Sequence, residues 1–185
     1  VVLCDGEDPR DAEALLRDAD AAMYVAKSAG RATYRIFDEA MHRKALDAVF
    51  IEQALRADPF EREFELYYQP IVEIDTGGIV GFEALVRWNH PELGFIAPDR
   101  FIQVAEETGQ IVRLGRWVLE RACRQIRSWR AAFPDFPGLY VNVNVSKREL
   151  LVPDFVEAVT ATIASAGLAP DAIKLEITET AVMSH

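Results

Sequence analysis

The stretch Ile79-Val-Gly-Phe-Glu-Ala-Leu-Val-Arg-Trp88 decides how the chain is read. As a strand it puts Phe82, Ala84, Val86 and Trp88 on one face and Gly81, Glu83, Leu85 and Arg87 on the other, because successive side chains point to opposite sides of a pleated backbone. One face is apolar, and the other carries an acid and a base two pleats apart. Upstream, Leu66 to Ile74 reads as a second strand with Tyr67, Gln69 and Ile71 on one face, and Asp75-Thr-Gly-Gly78 supplies turn residues between the two. Together they predict a β-hairpin. Downstream, Tyr140 to Ser146 alternates Val141, Val143 and Val145 with Asn142, Asn144 and Ser146, and Ile173 to Thr178 alternates Ile173, Leu175 and Ile177 with Lys174, Glu176 and Thr178.

Helices separate these strands. Pro98 and Asp99 open one through Phe101, Ile102 and Ala105; Leu114, Trp117, Val118, Ala122, Ile126 and Trp129 recur at helical spacing in the next. Pro153 and Asp154 start a third, with Glu157 expected to complete a capping box and Gly167 to close the helix. Strands joined through helices pair in parallel with right-handed crossovers, so the expected fold is α/β with an antiparallel first strand. Before the hairpin, Leu15, Ala19, Ala22, Met23 and Ala26 mark an amphipathic helix stopped by Gly30. Thr33 to Phe37 has strand character, and Asp38 caps a helix carrying Ala45, Ala48, Ile51 and Leu55 that Pro59 ends. The charged stretch 57–65 is the best boundary in the chain.

Half of the 185 residues are hydrophobic and 27% are charged, which excludes a disordered chain, a collagen-like repeat and a disulfide scaffold. With 20 Lys and Arg against 30 Asp and Glu, the net charge of -10 argues against a DNA or RNA partner. It leaves room for a small phosphate ligand carried on a carboxylate-bound cation. Cys4 and Cys123 have no His or Cys at metal-ligand spacing, and the expected environment is the reducing cytoplasm. No apolar run reaches the roughly 20 residues of a membrane span. There is neither a signal peptide nor an initiating Met, so the chain is expected to be an internal piece of a longer protein, without membrane contact of its own.

The polar strand face has two readings. It is either an ordinary wetted face, as in many antiparallel sheets, or the active face of a (β/α) barrel, whose sites lie at the carboxyl ends of the strands. In the second reading Glu83, Asn144 and Glu176 are oxygen donors converging from neighbouring strands, a set suited to Mg²⁺ or Mn²⁺ rather than zinc.

Five blocks in order, Leu66-Tyr-Tyr-Gln-Pro-Ile-Val72, Gly81-Phe-Glu-Ala-Leu-Val-Arg-Trp88, Phe101-Ile-Gln-Val-Ala-Glu-Glu-Thr-Gly109, Asn144-Val-Ser146 and Glu176-Ile-Thr-Glu179, resemble the EAL domain, the bacterial cyclic di-GMP phosphodiesterase family. Leu15 to Arg31 resembles the last helix and turn of a GGDEF (diguanylate cyclase) domain, without that family's catalytic loop. The resemblance implies a partial (β/α)8 TIM-type barrel over 66–185, a helical linker over 38–65 and a GGDEF remnant over 1–37. It further implies hydrolysis of cyclic di-GMP to linear pGpG with two divalent cations, Mg²⁺ or Mn²⁺, held by Glu83, Asn144 and Glu176. Gln69 and Arg87 would contact the substrate, and Glu179 would order a loop needed for metal binding and for communication across a homodimer. The alternative is a degenerate EAL domain that binds cyclic di-GMP or a protein without cleaving anything. The family's later motifs, paired aspartates and a following Lys, fall beyond His185, and a full barrel runs to about 250 residues. The isolated chain is therefore expected to be inactive and to fold poorly.

Overall fold

The computed structural model describes residues 1–3, 11–28, 33–136 and 138–177. Two compact units divide between Ala54 and Leu55. In the first, α1 (Ala12–Ser28) is capped by Asp11, whose Oδ1 accepts from the Ala14 N–H at 2.7 Å. It buries Ala21, Ala22 and Ala26 and leaves Leu16 and Met23 exposed. Asp38 caps α2 (Glu39–Arg56) as expected, accepting from the Met41 N–H at 2.9 Å. Residues 33–37 do not form the expected strand. The Val1 amino group donates to the Arg35 carbonyl at 2.7 Å and the Phe37 N–H to the Val1 carbonyl at 2.9 Å, but among the described residues no strand forms there. Gly30 and Cys4 lie outside the described residues.

The second unit opens differently from expectation. The helix α2 ends at Arg56, Asp58 takes a positive φ of 59°, and Pro59 begins the next turn, α3 (Phe60–Glu63), where its missing N–H costs nothing. The first strand, β1, spans Phe64–Val72, two residues earlier than the sequence suggests at each end. Different strand bounds leave the alternation, and so which side chains share a face, unchanged. The antiparallel partner β2 (Ile79–His90) runs two residues past Trp88 and pairs with a short β3 (Gly94–Ile96) that the alternation did not reveal. His90 closes that turn, its Nδ1 accepting the N–H groups of Glu92 and Leu93.

The helices α4 (Pro98–Thr108) and α5 (Ile111–Ala132) follow, with Gly109 between them at φ 85°, a conformation that favours glycine. Next come β4 (Tyr140–Val145), a one-turn α6 (Lys147–Leu150), α7 (Phe155–Ser165) and β5 (Ile173–Ile177). The strand order is β1-β2-β4-β5, with β2, β4 and β5 mutually parallel and β1 antiparallel at one side. The expected α/β sheet with an antiparallel first strand is therefore present. Among the described residues no helix is long and apolar enough to cross a membrane.

Two capping assignments need correction. Ser146 does not continue the polar face of β4; it is the N-cap of α6, in a reciprocal capping box with Glu149. Asp154 makes no side-chain cap at α7 and forms no box with Glu157, because its backbone lies outside the extended region a cap needs and its carboxylate turns to Arg116 at 3.5 Å. Gly167 does close α7, with φ 69° and the Leu168 N–H bonded to the Ile163 carbonyl.

The core lies on one side of the sheet. Ile111, Leu114, Trp117, Val118, Ala122 and Ile126 of α5 are buried, as are Val141, Val143 and Val145 of β4. Fully burying such a side chain is worth about 1.5–3 kcal/mol, so this face fixes the register of every strand it covers. At one end Phe64 stacks on Trp88 at 4.9 Å, and Phe101 meets both rings edge-on at 5.5 Å. Two glutamates of α3 satisfy the indoles nearby: Trp88 Nε1 donates to Glu63 and Trp117 Nε1 to Glu61, both at 2.9 Å.

Candidate functional site

With Phe82, Ala84 and Trp88 committed to the helix side, the pleat of β2 sends Glu83 to the opposite face. The same alternation puts Asn142 and Asn144 of β4 and Glu176 of β5 there, because Val141, Val143 and Ile173 take the buried side. Their positions along the strands agree. Glu83 is the penultimate residue of the segment of β2 that pairs with β4, Asn144 is penultimate in β4 and Glu176 in β5. The carboxyl ends of three parallel segments thus carry two acids and an amide.

Hydrogen bonds link them. Asn144 Nδ2 donates to Glu83 Oε1 at 2.8 Å, and Asn142 Nδ2 donates to Glu176 Oε2 at 3.2 Å. Asn142, which the sequence places on the polar face of the strand but not among the candidate ligands, is therefore part of the cluster, and its alternation with Asn144 was the available signal. Its own Oδ1 is buried without a hydrogen-bond partner. Neither Glu83 nor Glu176 has a Lys or Arg within ion-pair distance among the described residues. Two carboxylates on one face without a counter-charge fit a hard divalent cation, and every available donor can present oxygen. Among the described residues no group of three His, Cys, Asp or Glu side chains is placed to hold a metal, so a cation here would depend on the amide.

Gln69 faces Glu83 directly across the β1–β2 ladder and is exposed. Arg87 does not pair with Glu83. Its guanidinium lies 5.5 Å from the centre of the Tyr67 ring and its Nη1 donates to the Val86 carbonyl at 2.9 Å. One pleat toward the strands' amino ends, Tyr140 packs against Gly81, where an added Cβ would meet the tyrosine ring and its carbonyl at 2.8 Å, and Lys174 Nζ sits 3.3 Å from the ring centre. Strand alternation was the only sign of this Gly81–Tyr140–Lys174 layer in the sequence. Glu179 lies outside the described residues.

Beyond Asn144 the chain enters α6 with no intervening loop. Glu149 is buried there, and its Oε2 accepts from the Ser146 N–H at 2.9 Å and from Ser146 Oγ at 2.6 Å. Burial pushes its carboxyl above the ordinary 4.5; the Ser146 bonds oppose the shift and the Glu106 charge adds to it. A carboxyl raised in the folded state contributes stability that is full below its unfolded pKa and is lost as pH rises through the folded value. Glu149→Gln keeps an acceptor oxygen for Ser146 and never ionises. Its melting temperature is therefore expected to gain on the wild type as pH climbs from about 4.5 toward neutrality. A gap that stays flat or narrows across that range would contradict the assignment.

A parallel α/β sheet with polar side chains gathered at the carboxyl ends of adjacent strands has the arrangement in which α/β proteins place their ligand sites. The comparisons narrow the class. The EAL domain family model matches residues 51–185. The bifunctional diguanylate cyclase/cyclic di-GMP phosphodiesterase MucR of Pseudomonas aeruginosa is 38% identical over 169 residues, covering 91% of this chain and 24% of that protein. The cyclic di-GMP phosphodiesterase NbdA of the same organism is 38% identical over 176 residues, covering 95% of this chain and 22% of that protein. The solved PaMucR phosphodiesterase, in complex with c-di-GMP, superposes with a TM-score of 0.66 at 36% identity, over 72% of this chain and 53% of that one. The chain thus spans about a quarter of the length of these curated relatives. It belongs to the EAL domain family.

Proposed function

We propose that the protein carrying this chain hydrolyses one phosphodiester bond of cyclic di-GMP to give linear pGpG. The observation that carries the reading is the pair of carboxylates, Glu83 and Glu176, held with Asn144 and Asn142 on one strand face and lacking a cationic partner among the described residues. Two relatives above 35% identity bear the name of that activity. Divalent cations bound here, Mg²⁺ or Mn²⁺, would polarise the phosphate and make a water more acidic. Glu83 and Glu176 supply the negative charge for them, and Asn144 supplies a neutral oxygen. Arg87, already laid on Tyr67, offers a planar fork that matches two phosphate oxygens, and Gln69 offers an amide to a guanine edge. Glu179, which lies outside the described residues, would by the family resemblance order a loop needed for metal binding and for communication across a homodimer.

In the same reading residues 1–37 end a GGDEF domain and residues 38–65 link it to the EAL portion from residue 66 on. A relative whose name joins both activities supports this organisation. The test is hydrolysis of cyclic di-GMP by the full-length protein in Mg²⁺ or Mn²⁺, with the linear dinucleotide resolved by chromatography. Tight binding without product would overturn the phosphodiesterase in favour of a non-catalytic receptor. For Arg87→Lys, a point charge replaces the fork, and KM is expected to rise about tenfold with kcat nearly kept. An unchanged KM would remove Arg87 from the substrate site.

A further inference from the structure

The passage from β4 into α6 carries a device that the assigned residues do not include. Asn144 is followed only by Val145 before Ser146 caps α6, so the backbone under Asn144 is set by where that one-turn helix sits. A single turn has no stability of its own. Three ties hold it. Ser146 and Glu149 satisfy each other reciprocally, the serine Oγ accepting from the Glu149 N–H at 3.3 Å while the carboxylate takes both serine donors. The Glu149 carboxylate also lies against the bare Cα of Gly115 in α5, where an added Cβ would fall 1.7 Å from Oε1. Arg148 donates to the carbonyls of Glu106 and Glu107 at the end of α4. Glu149 thus ties the strand end and capping turn to α5 while Arg148 ties the same turn to α4, and no hydrogen bond joins Glu149 to Glu83 or Glu176.

We infer that Glu149, seated in the Gly115 notch and capped on Ser146, is a positioning residue that holds the Asn144 amide over Glu83 for cation binding. This rests on the reading of Glu83, Asn144 and Glu176 as cation ligands. Removing the carboxylate leaves the buried Ser146 donors unpaired and frees α6 to shift, and a ligand displaced by even about half an ångström binds poorly. A neutral amide can keep the same acceptor geometry.

The experiment is calorimetric titration of the full-length protein with Mn²⁺ alone, comparing wild type, Glu149→Ala, Glu149→Gln and Glu83→Gln. Glu149→Ala is expected to weaken Mn²⁺ binding about 10- to 100-fold, the usual range for groups that orient metal ligands, and Glu149→Gln to restore it to within about threefold of wild type. KM for cyclic di-GMP should change little in both Glu149 variants. If Glu149→Ala does not fold, Ser146→Ala, which removes only the hydroxyl, should still weaken Mn²⁺ binding several-fold. A folded Glu149→Ala, or in its place a folded Ser146→Ala, that binds Mn²⁺ like the wild type while Glu83→Gln binds it weakly would overturn the positioning role alone. Wild-type affinity in Glu83→Gln would overturn the cation site itself and this inference with it.

Discussion

Glu83→Gln is expected to remove at least about 99% of cyclic di-GMP turnover in the full-length protein and to weaken Mg²⁺ and Mn²⁺ binding together. The substitution is nearly isosteric. The amide oxygen it introduces could still accept from Asn144, whose bond to Glu83 is 2.8 Å long, so the local packing would survive. What disappears is a full negative charge on a face where Glu176 is the other acid in the cluster. A hard cation bound through oxygen depends on that charge count, and an amide dipole does not replace it. Melting temperature should therefore move little while activity collapses. Steady-state kinetics across a Mg²⁺ titration check this. Full turnover at saturating Mg²⁺ would show that the shape of the side chain at this position matters and its charge does not.

The second large effect is on stability. Trp88→Ala is expected to cost about 3–5 kcal/mol, because Trp88 is completely buried and stacks on Phe64 with Phe101 against its edge. The truncation also leaves Glu63, which now accepts the indole N–H at 2.9 Å, without that donor. Trp88→Phe separates the two contributions. It refills part of the cavity and loses the hydrogen bond, so it should cost about 1–3 kcal/mol. Urea denaturation followed by circular dichroism would rank the three proteins. Equal midpoints for wild type and Trp88→Ala would mean that the aromatic cluster does not hold β2 in place. Since Arg87 precedes Trp88 in the same strand, the phenylalanine variant should also shift substrate affinity more than it shifts cation affinity.

How far the sequence reached depended on period and parity. Alternation in Ile79–Trp88, Tyr140–Val145 and Ile173–Ile177 was enough to assign faces, because a strand with one side against a helix layer has only two ways to point and the apolar set chooses between them. For that reason β1 could begin two residues earlier than expected without moving Gln69 from the face of Glu83. The helices α4 and α5 were equally legible from their apolar spacing. By contrast, 33–37 had strand composition but is not a strand among the described residues, because β propensity is realised only where a partner completes a ladder.

By itself, then, the sequence determined the α/β class, the faces of the strands and which residues could serve as oxygen donors. Those are local properties, carried by side-chain type and backbone period. Only the tertiary structure decided which donors meet. The bond from Asn144 to Glu83 joins residues 61 positions apart, and that from Asn142 to Glu176 joins residues 34 apart; neither follows from a pattern within one strand. It also decided that Arg87 rests on Tyr67 instead of neutralising Glu83, and that the working capping box belongs to Ser146 and Glu149 while Asp154 turns to Arg116. Capping and charge pairing are competitions among several nearby partners separated by about 1 kcal/mol, and the winner is whichever partner the packed backbone brings within reach.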